Sequence, residues 1–271
     1  MRRRSRGEWV VLLVRCVVGA ALVVAAIGRV GGVTSAAFTS STSNPSNSFS
    51  AKATFPPVFV RNVGTASCGT TSNAVTVPAG GIPVGRTLVV QLVLRGGSYA
   101  NAVSATDSRG NTYRTDLDVT NVGQTLRTVV FSAYVATALL AGDTITASHG
   151  SSSSSGIGVD EVRRVPSSSH LNRSGTATGS SASPSATLSA ATTVGDVLLY
   201  GAVGAVGINT VSTEAASYTL AHDVTQNCGG ATNRARNHAA YRIVAATGTY
   251  TYNPTLSGST GWASVLGAYS G

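Results

Sequence analysis

The chain has 271 residues, a net charge of +9, 42% hydrophobic and 11% charged residues. That apolar content excludes a wholly disordered chain, and the length suits one large β domain or two small ones. The charge does not mark a nucleic-acid binder: residues 1 to 36 hold six arginines and one acid, and the other 13 bases and 9 acids are scattered.

Three arginines follow Met1, then comes VVLLVRCVVGAALVVAAI, then small residues ending at Ala36. This is the order of an export signal: basic start, apolar middle, small-residue cleavage site. The uninterrupted apolar run from Val17 to Ile27 is 11 residues, too short to span a bilayer. Cleavage between Ala36 and Ala37 is the expectation. The alternative is an uncleaved membrane anchor over 10 to 27, which would bury Arg15 in hydrocarbon at about 2.5 kcal/mol. Cys16 is not a lipidation cysteine, because Arg15 precedes it. Residues 1 to 36 are therefore read as an N-terminal signal or hydrophobic helix, and 37 to 57 as an extended polar tail.

Residues 36 to 51 read AAFTSSTSNPSNSFSA. With Ala37, Phe38, Thr42, Asn44, Asn47 and Phe49 in place, this stretch resembles the leader and mature start of substrates of the SipW-type signal peptidase, the class of camelysin and TasA-like biofilm-fibre proteins. Ser46 stands where that class usually has glycine. The resemblance implies export and is silent on the domain that follows.

From Val58 onward short β-branched or aromatic runs alternate with Gly/Ser/Asn/Asp turns. RTLVVQLVLR (86 to 95), TLRTVVFSAYVA (125 to 136), DTITAS (143 to 148), DVLLYGAV (196 to 203), HAAYRIVAA (238 to 246) and GTYTYNP (248 to 254) read as strands. Nothing outside the leader has a helical period, so the fold class is all-β. An internal echo adds detail: PVGRTLVVQLV (83 to 93) returns as TVGDVLLYGAV (193 to 203), GNTYRTDLDVTN (110 to 121) as AASYTLAHDVTQN (215 to 227), and VVFSAYVA (129 to 136) as HAAYRIVA (238 to 245). A half of about five strands cannot cover both its faces alone. One jelly-roll-like antiparallel β-sandwich over 58 to 271 is expected, with related halves at about 58 to 165 and 188 to 271 joined by a crossover at 166 to 187.

The elements Val84-Gly85, DSRGNTY (107 to 113), AGDTIT (141 to 146), Asp160-Glu161, the Ser/Gly/Thr crossover and Gly261-Trp262 resemble a bacterial extracellular β-sandwich module without assigned activity. Residues 161 to 164, EVRR, depart from its usual aromatic-Ser-Gly corner. The resemblance implies a fold and an extracellular setting and no activity.

With the leader removed, Cys68 and Cys228 are the two remaining cysteines, and an even pair in an exported chain predicts a disulfide. Two free thiols are the alternative. Asp107-Ser-Arg-Gly-Asn111 lacks the alternating ligands of a calcium loop and reads as a turn. Asp116 and Asp118 alternate on a strand, which predicts a shared face, solvated rather than catalytic. His149, His170, His222 and His238 have no metal-ligand spacing. His222 beside Asp223 is the single adjacent acid–base pair. No serine-nucleophile motif occurs.

Trp262, Tyr250 and Tyr252 are the candidate ligand-binding residues, since sugar rings stack on exposed aromatics; packing of Trp262 and most tyrosines in the core is the favoured reading. The sequence therefore predicts an exported, non-enzymatic β-sandwich protein, secreted or on the cell surface. It would act in binding or structural assembly, with no cofactor or metal. Its partner would be itself, through strand addition by the tail, or cell-wall polysaccharide. A carbohydrate-binding module is the alternative and a secreted hydrolase ranks last. Membrane contact is expected through the leader alone, with no C-terminal sorting motif or anchor expected.

Overall fold

The computed structural model describes residues 55 to 97, 99 to 167, 170 to 230 and 233 to 271. The export signal, its helix, Ala36, Ala37 and the tail as far as residue 54 lie outside these. Among the described residues the chain is all-β, as expected, with a single 3-10 turn at Val122–Gln124.

Two five-stranded antiparallel sheets carry the structure. The first is drawn from β1 (Val58–Ser67), β3 (Arg86–Arg95), β5 (Tyr113–Asn121), β6 (Leu126–Tyr134) and β8 (Ser154–Arg163), in the order β1-β8-β3-β6-β5. The second uses β9 (Leu171–Ser181), β11 (Val197–Val206), β13 (Thr219–Asn227), β14 (Arg234–Val244) and β17 (Thr260–Ser270), in the order β13-β14-β11-β17-β9. The stretch predicted as a crossover at 166 to 187 is thus largely sheet: it contains β9. Its Ser/Thr/Gly composition reads as linker, but alternating exposure along β9 shows a strand with one solvated side.

Smaller sheets lie outside. β2 (Ser72–Thr76), β7 (Thr144–Ser148) and β4 (Ser104–Asp107) form one in the order β2-β7-β4. β10 (Ala186–Thr187) pairs with β15 (Thr251–Tyr252), and β12 (Val211–Thr213) with β16 (Thr255–Leu256). Pro254 lies between β15 and β16, and a proline cannot donate to a ladder.

The central strands explain the layering. β3, β8, β11 and β17 are buried along nearly their whole length, not at alternate positions. An antiparallel strand buried on both faces needs a cover on each side. Leu88, Val90, Leu92 and Phe131 pack outward with Val75 and Ile145 of the three-stranded sheet. Leu199, Val203, Ala240 and Leu266 pack outward with Tyr252, Leu256 and Trp262. Between the large sheets lie Val89, Leu117, Val130 and Val162 from the first, and Leu198, Tyr200, Ala239 and Val265 from the second. One shared interior was expected; there are three apolar layers, because each large sheet also has a cover of its own.

The predicted disulfide is present. Cys68 follows β1 and Cys228 follows β13, with Cα atoms 5.0 Å apart, so the bridge joins an edge of one large sheet to an edge of the other.

Candidate functional site

The predicted ligand-binding aromatics are not an open platform. Tyr252 is fully enclosed, its ring lying against Gly201 where a Cβ would collide with it. Trp262 is 7% exposed, packs against Gly179 and donates Nε1–H to Ser181 Oγ at 3.1 Å. Tyr250 is half-buried, donates its hydroxyl to the Ala246 carbonyl at 2.7 Å, and has the Arg242 guanidinium 5.8 Å from its ring centroid. All three line the outer layer of the second sheet.

The Asp107 loop is a turn, built by its side chains. Asp107 accepts from the backbone N–H of Arg109 and Asn111 and from the Tyr113 hydroxyl. Asn111 accepts from the N–H groups of Ala136 and Thr137 at 2.9 and 2.8 Å while donating to Asp107 and to the Thr137 carbonyl. Among the described residues no group of three or more His, Cys, Asp or Glu could hold a metal ion.

Asp116 and Asp118 do not act as a pair. A bulge between Thr115 and Leu117 turns Asp116 toward the buried side, where it accepts from Tyr269 at 2.9 Å. Asp118 faces out in a two-point ion pair with Arg127. Burial would raise the Asp116 pKa, but the polar groups around it, His170, Ser132, the hydrogen-bonded Tyr269 and the Arg114 guanidinium, outweigh it and hold it below the usual carboxylate range. Ser132, His170 and Asp116 carry the residue types of a hydrolytic triad without its geometry. Ser132 Oγ is 2.7 Å and Asp116 is 3.8 Å from the same ring nitrogen of His170, and Ser132 is fully buried.

His222 and Asp223 part company because successive residues of a strand point to opposite faces. His222 turns inward and donates Nδ1–H to Asp160 at 2.8 Å, while its other nitrogen faces Gln91 and Asn237. Asp160 also accepts from Tyr200 and Asn62. His149 donates to the Gly150 carbonyl and accepts from Asn73.

Asp223 turns outward to a polar corner that the sequence reading missed. It forms a two-point ion pair with Arg236 and lies 3.6 Å from His238 Nδ1 on the paired strand. His238 donates Nε2–H at 2.8 Å to Glu214, which follows β12. The rings of Tyr218 and Tyr252 are 5.1 Å apart beside them. Burial would lower the His238 pKa, but the two carboxylates outweigh it and raise it above 6.5. Burial would raise Asp223, but His238 and Arg236 bring it down to about 2. Glu214 is likewise lowered. This corner is the candidate functional site: the Glu214 and Asp223 side chains, 23% and 22% exposed, can accept hydrogen bonds from a polar, hydroxyl-bearing ligand. Glu214 is 24 residues from His238, so no spacing rule could have paired them.

No family model matches the chain, and no curated protein or solved structure matches it either. Among the described residues no helix is long and apolar enough to cross a membrane.

Proposed function

We propose that the protein is an exported, non-enzymatic β-sandwich that works outside the cytoplasm in surface binding or structural assembly. The observation that carries this reading is the Cys68–Cys228 disulfide, because such bridges persist in oxidising compartments. Fractionation and N-terminal sequencing of the native protein test it. Recovery from the medium or surface with Ala37 at the N-terminus is expected; recovery solely from cytosol with both thiols free overturns it.

The sandwich itself is read as two related jelly-roll-like halves. Numbered within the first half, the strands run 1-8-3-6-5 and 2-7-4, and the second half repeats the long order as β9-β17-β11-β14-β13. The bulge at Asp116 has its counterpart at Ala221, and the Asp118–Arg127 pair has its counterpart in Asp223–Arg236. Duplication accounts for these coincidences more simply than chance.

Assembly has a route through the tail. The edges β1, β5 and β13 carry bulges and charges, the usual protection against strand pairing. β9 runs in regular register from Arg173 to Ser181 with no charge after Arg173. Beyond Ser174, whose carbonyl already accepts from the Ser189 N–H at 2.9 Å, it is the edge to which the tail of a second copy would add. Deleting 37 to 50 should abolish oligomers; unchanged assembly by the truncated chain would rule the tail out. The rival reading, polysaccharide binding, rests on the Glu214–His238 corner and Tyr250 rather than on Trp262. Pull-down on purified cell wall with Tyr250→Ala and Glu214→Gln tests it, and retention of both variants at wild-type level argues against it.

A further inference from the structure

The two large sheets face one another with a two-fold pattern. Taking β1, β8, β3, β6 and β5 as the counterparts of β9, β17, β11, β14 and β13, every major contact across the interface has a partner with the roles exchanged. β5 lies on β17 and β9, while β13 lies on β8 and β1. β6 lies on β11 and β17, while β14 lies on β3 and β8, and β3 meets its own counterpart β11. The strand pairs that touch also repeat in polar bonding, once between equivalent residues and twice with donor and acceptor exchanged. Thr128 of β6 donates its hydroxyl to the Ala263 carbonyl of β17 at 2.9 Å, and Asn237 of β14 donates its amide to the Gly156 carbonyl of β8 at 3.1 Å. Across β5 and β17, Asp116 accepts from Tyr269; across β13 and β8, His222 donates to Asp160. Asn121 at the end of β5 reaches the Trp262 carbonyl, and Gln226 near the end of β13 accepts from Ser154.

A symmetric interface of this kind is how two copies of one subunit meet, each offering the same surface to the other. All strands of the first sheet precede all strands of the second, so one chain crossing, from Arg163 to Leu171, and the disulfide are the covalent ties between them. Nothing in the interface itself distinguishes a half supplied by the same chain from one supplied by another.

Resting on the two-half reading, we propose that the inner faces are an exchangeable docking surface whose partner is a second copy of this chain. The first half of one copy seats on the second half of another, and the junction is locked by Cys68 of one copy bonding Cys228 of its neighbour. Closed exchange makes a covalent dimer, and open exchange makes a linear polymer with the same bond at every junction. Each bond forms by thiol–disulfide exchange: one cysteine thiolate attacks oxidised glutathione and expels a glutathione thiolate, and the second cysteine attacks the mixed disulfide and expels the other, so the two electrons and two protons leave on two molecules of reduced glutathione.

The test uses the full chain with Cys16→Ser throughout, in two further versions, Cys68→Ser and Cys228→Ser. Unfolded together, refolded together and oxidised with the glutathione couple, the mixture should yield a disulfide dimer whose bridge maps to Cys68 and Cys228. Neither version alone should give that bridge, and mixing the two after separate folding should not. Absence of the mixed dimer, or equal yield from chains folded beforehand, overturns the proposal. If either version fails to refold, an equal mixture of isotopically labelled and unlabelled chains with Cys68 and Cys228 intact gives the same reading. Bridged peptides of hybrid mass support exchange, and their absence overturns it. A protease site placed between 166 and 169 separates the two ideas. If the nicked, reduced fragments stay folded together while no mixed dimer forms, exchange fails and the two-half reading stands; if the fragments unfold, that reading fails.

Discussion

At the residue scale the histidines carry the chemistry of this fold, and each is engaged inside it. His238, flanked by Glu214, Asp223 and Arg236 with Tyr218 and Tyr252 alongside, holds its proton more tightly folded than unfolded. Its contribution to stability is therefore complete below pH 6.5 and declines as pH rises through the raised folded value. Asp223 works in the opposite sense: its contribution is complete above pH 3.8 and is lost as pH falls toward about 2. Urea midpoints measured across pH should fall at both ends, and His238→Asn should flatten the alkaline limb. An unchanged alkaline limb in that variant would remove His238 from the account. Asn111 offers a second test. Its alanine variant leaves the Ala136 and Thr137 N–H groups without their acceptor, so a loss of about 2 kcal/mol or more is expected by equilibrium unfolding. None of these partnerships was legible in advance, because each joins residues that only the sheet brings together.

At the element scale, strand identity was readable and strand register was not. The six runs predicted as strands fall on β3, β6, β7, β11, β14 and β15, since β-branched and aromatic runs between turns have few alternatives. The echo between PVGRTLVVQLV and TVGDVLLYGAV, however, pairs Leu88 with Leu198, and these face different layers. The left-handed residue ahead of each strand is Gly85 in one and Asp196 in the other, one position later than the echo implies. A shift of one residue exchanges the faces of a strand. Elsewhere the echo keeps its faces: Leu117 and His222 both turn inward, and Phe131 and Ala240 both turn outward. Gly158 shows how tightly β8 and β13 fit, because a Cβ there would collide with the His222 ring. Gly158→Ala should displace His222 from Asp160 and destabilise the fold by about 3 kcal/mol, read from denaturant unfolding. A fully stable Gly158→Ala variant would show that this polar seam does not hold the sheets in register.

At the scale of the whole molecule, the disulfide closes a span of 160 residues between the two large sheets. Loop-closure entropy puts its worth at about 5 kcal/mol as an upper figure. The Cys68→Ala/Cys228→Ala chain should unfold at correspondingly lower urea, and reductant should move the native protein to the same midpoint. If reductant leaves the midpoint where it was, the bridge adds little beyond the apolar layers. Composition and alternation by themselves determined the all-β class, because it follows from local pattern, whereas the pairing of Cys68 with Cys228 was an expectation that rested on the removal of Cys16 with the leader. The three apolar layers, the strand within the predicted crossover, the burial of Trp262 and Tyr252, and the Glu214–His238–Asp223 corner were decided by tertiary structure alone. A strand has two faces, and what covers each depends on segments a hundred residues away that no local window contains.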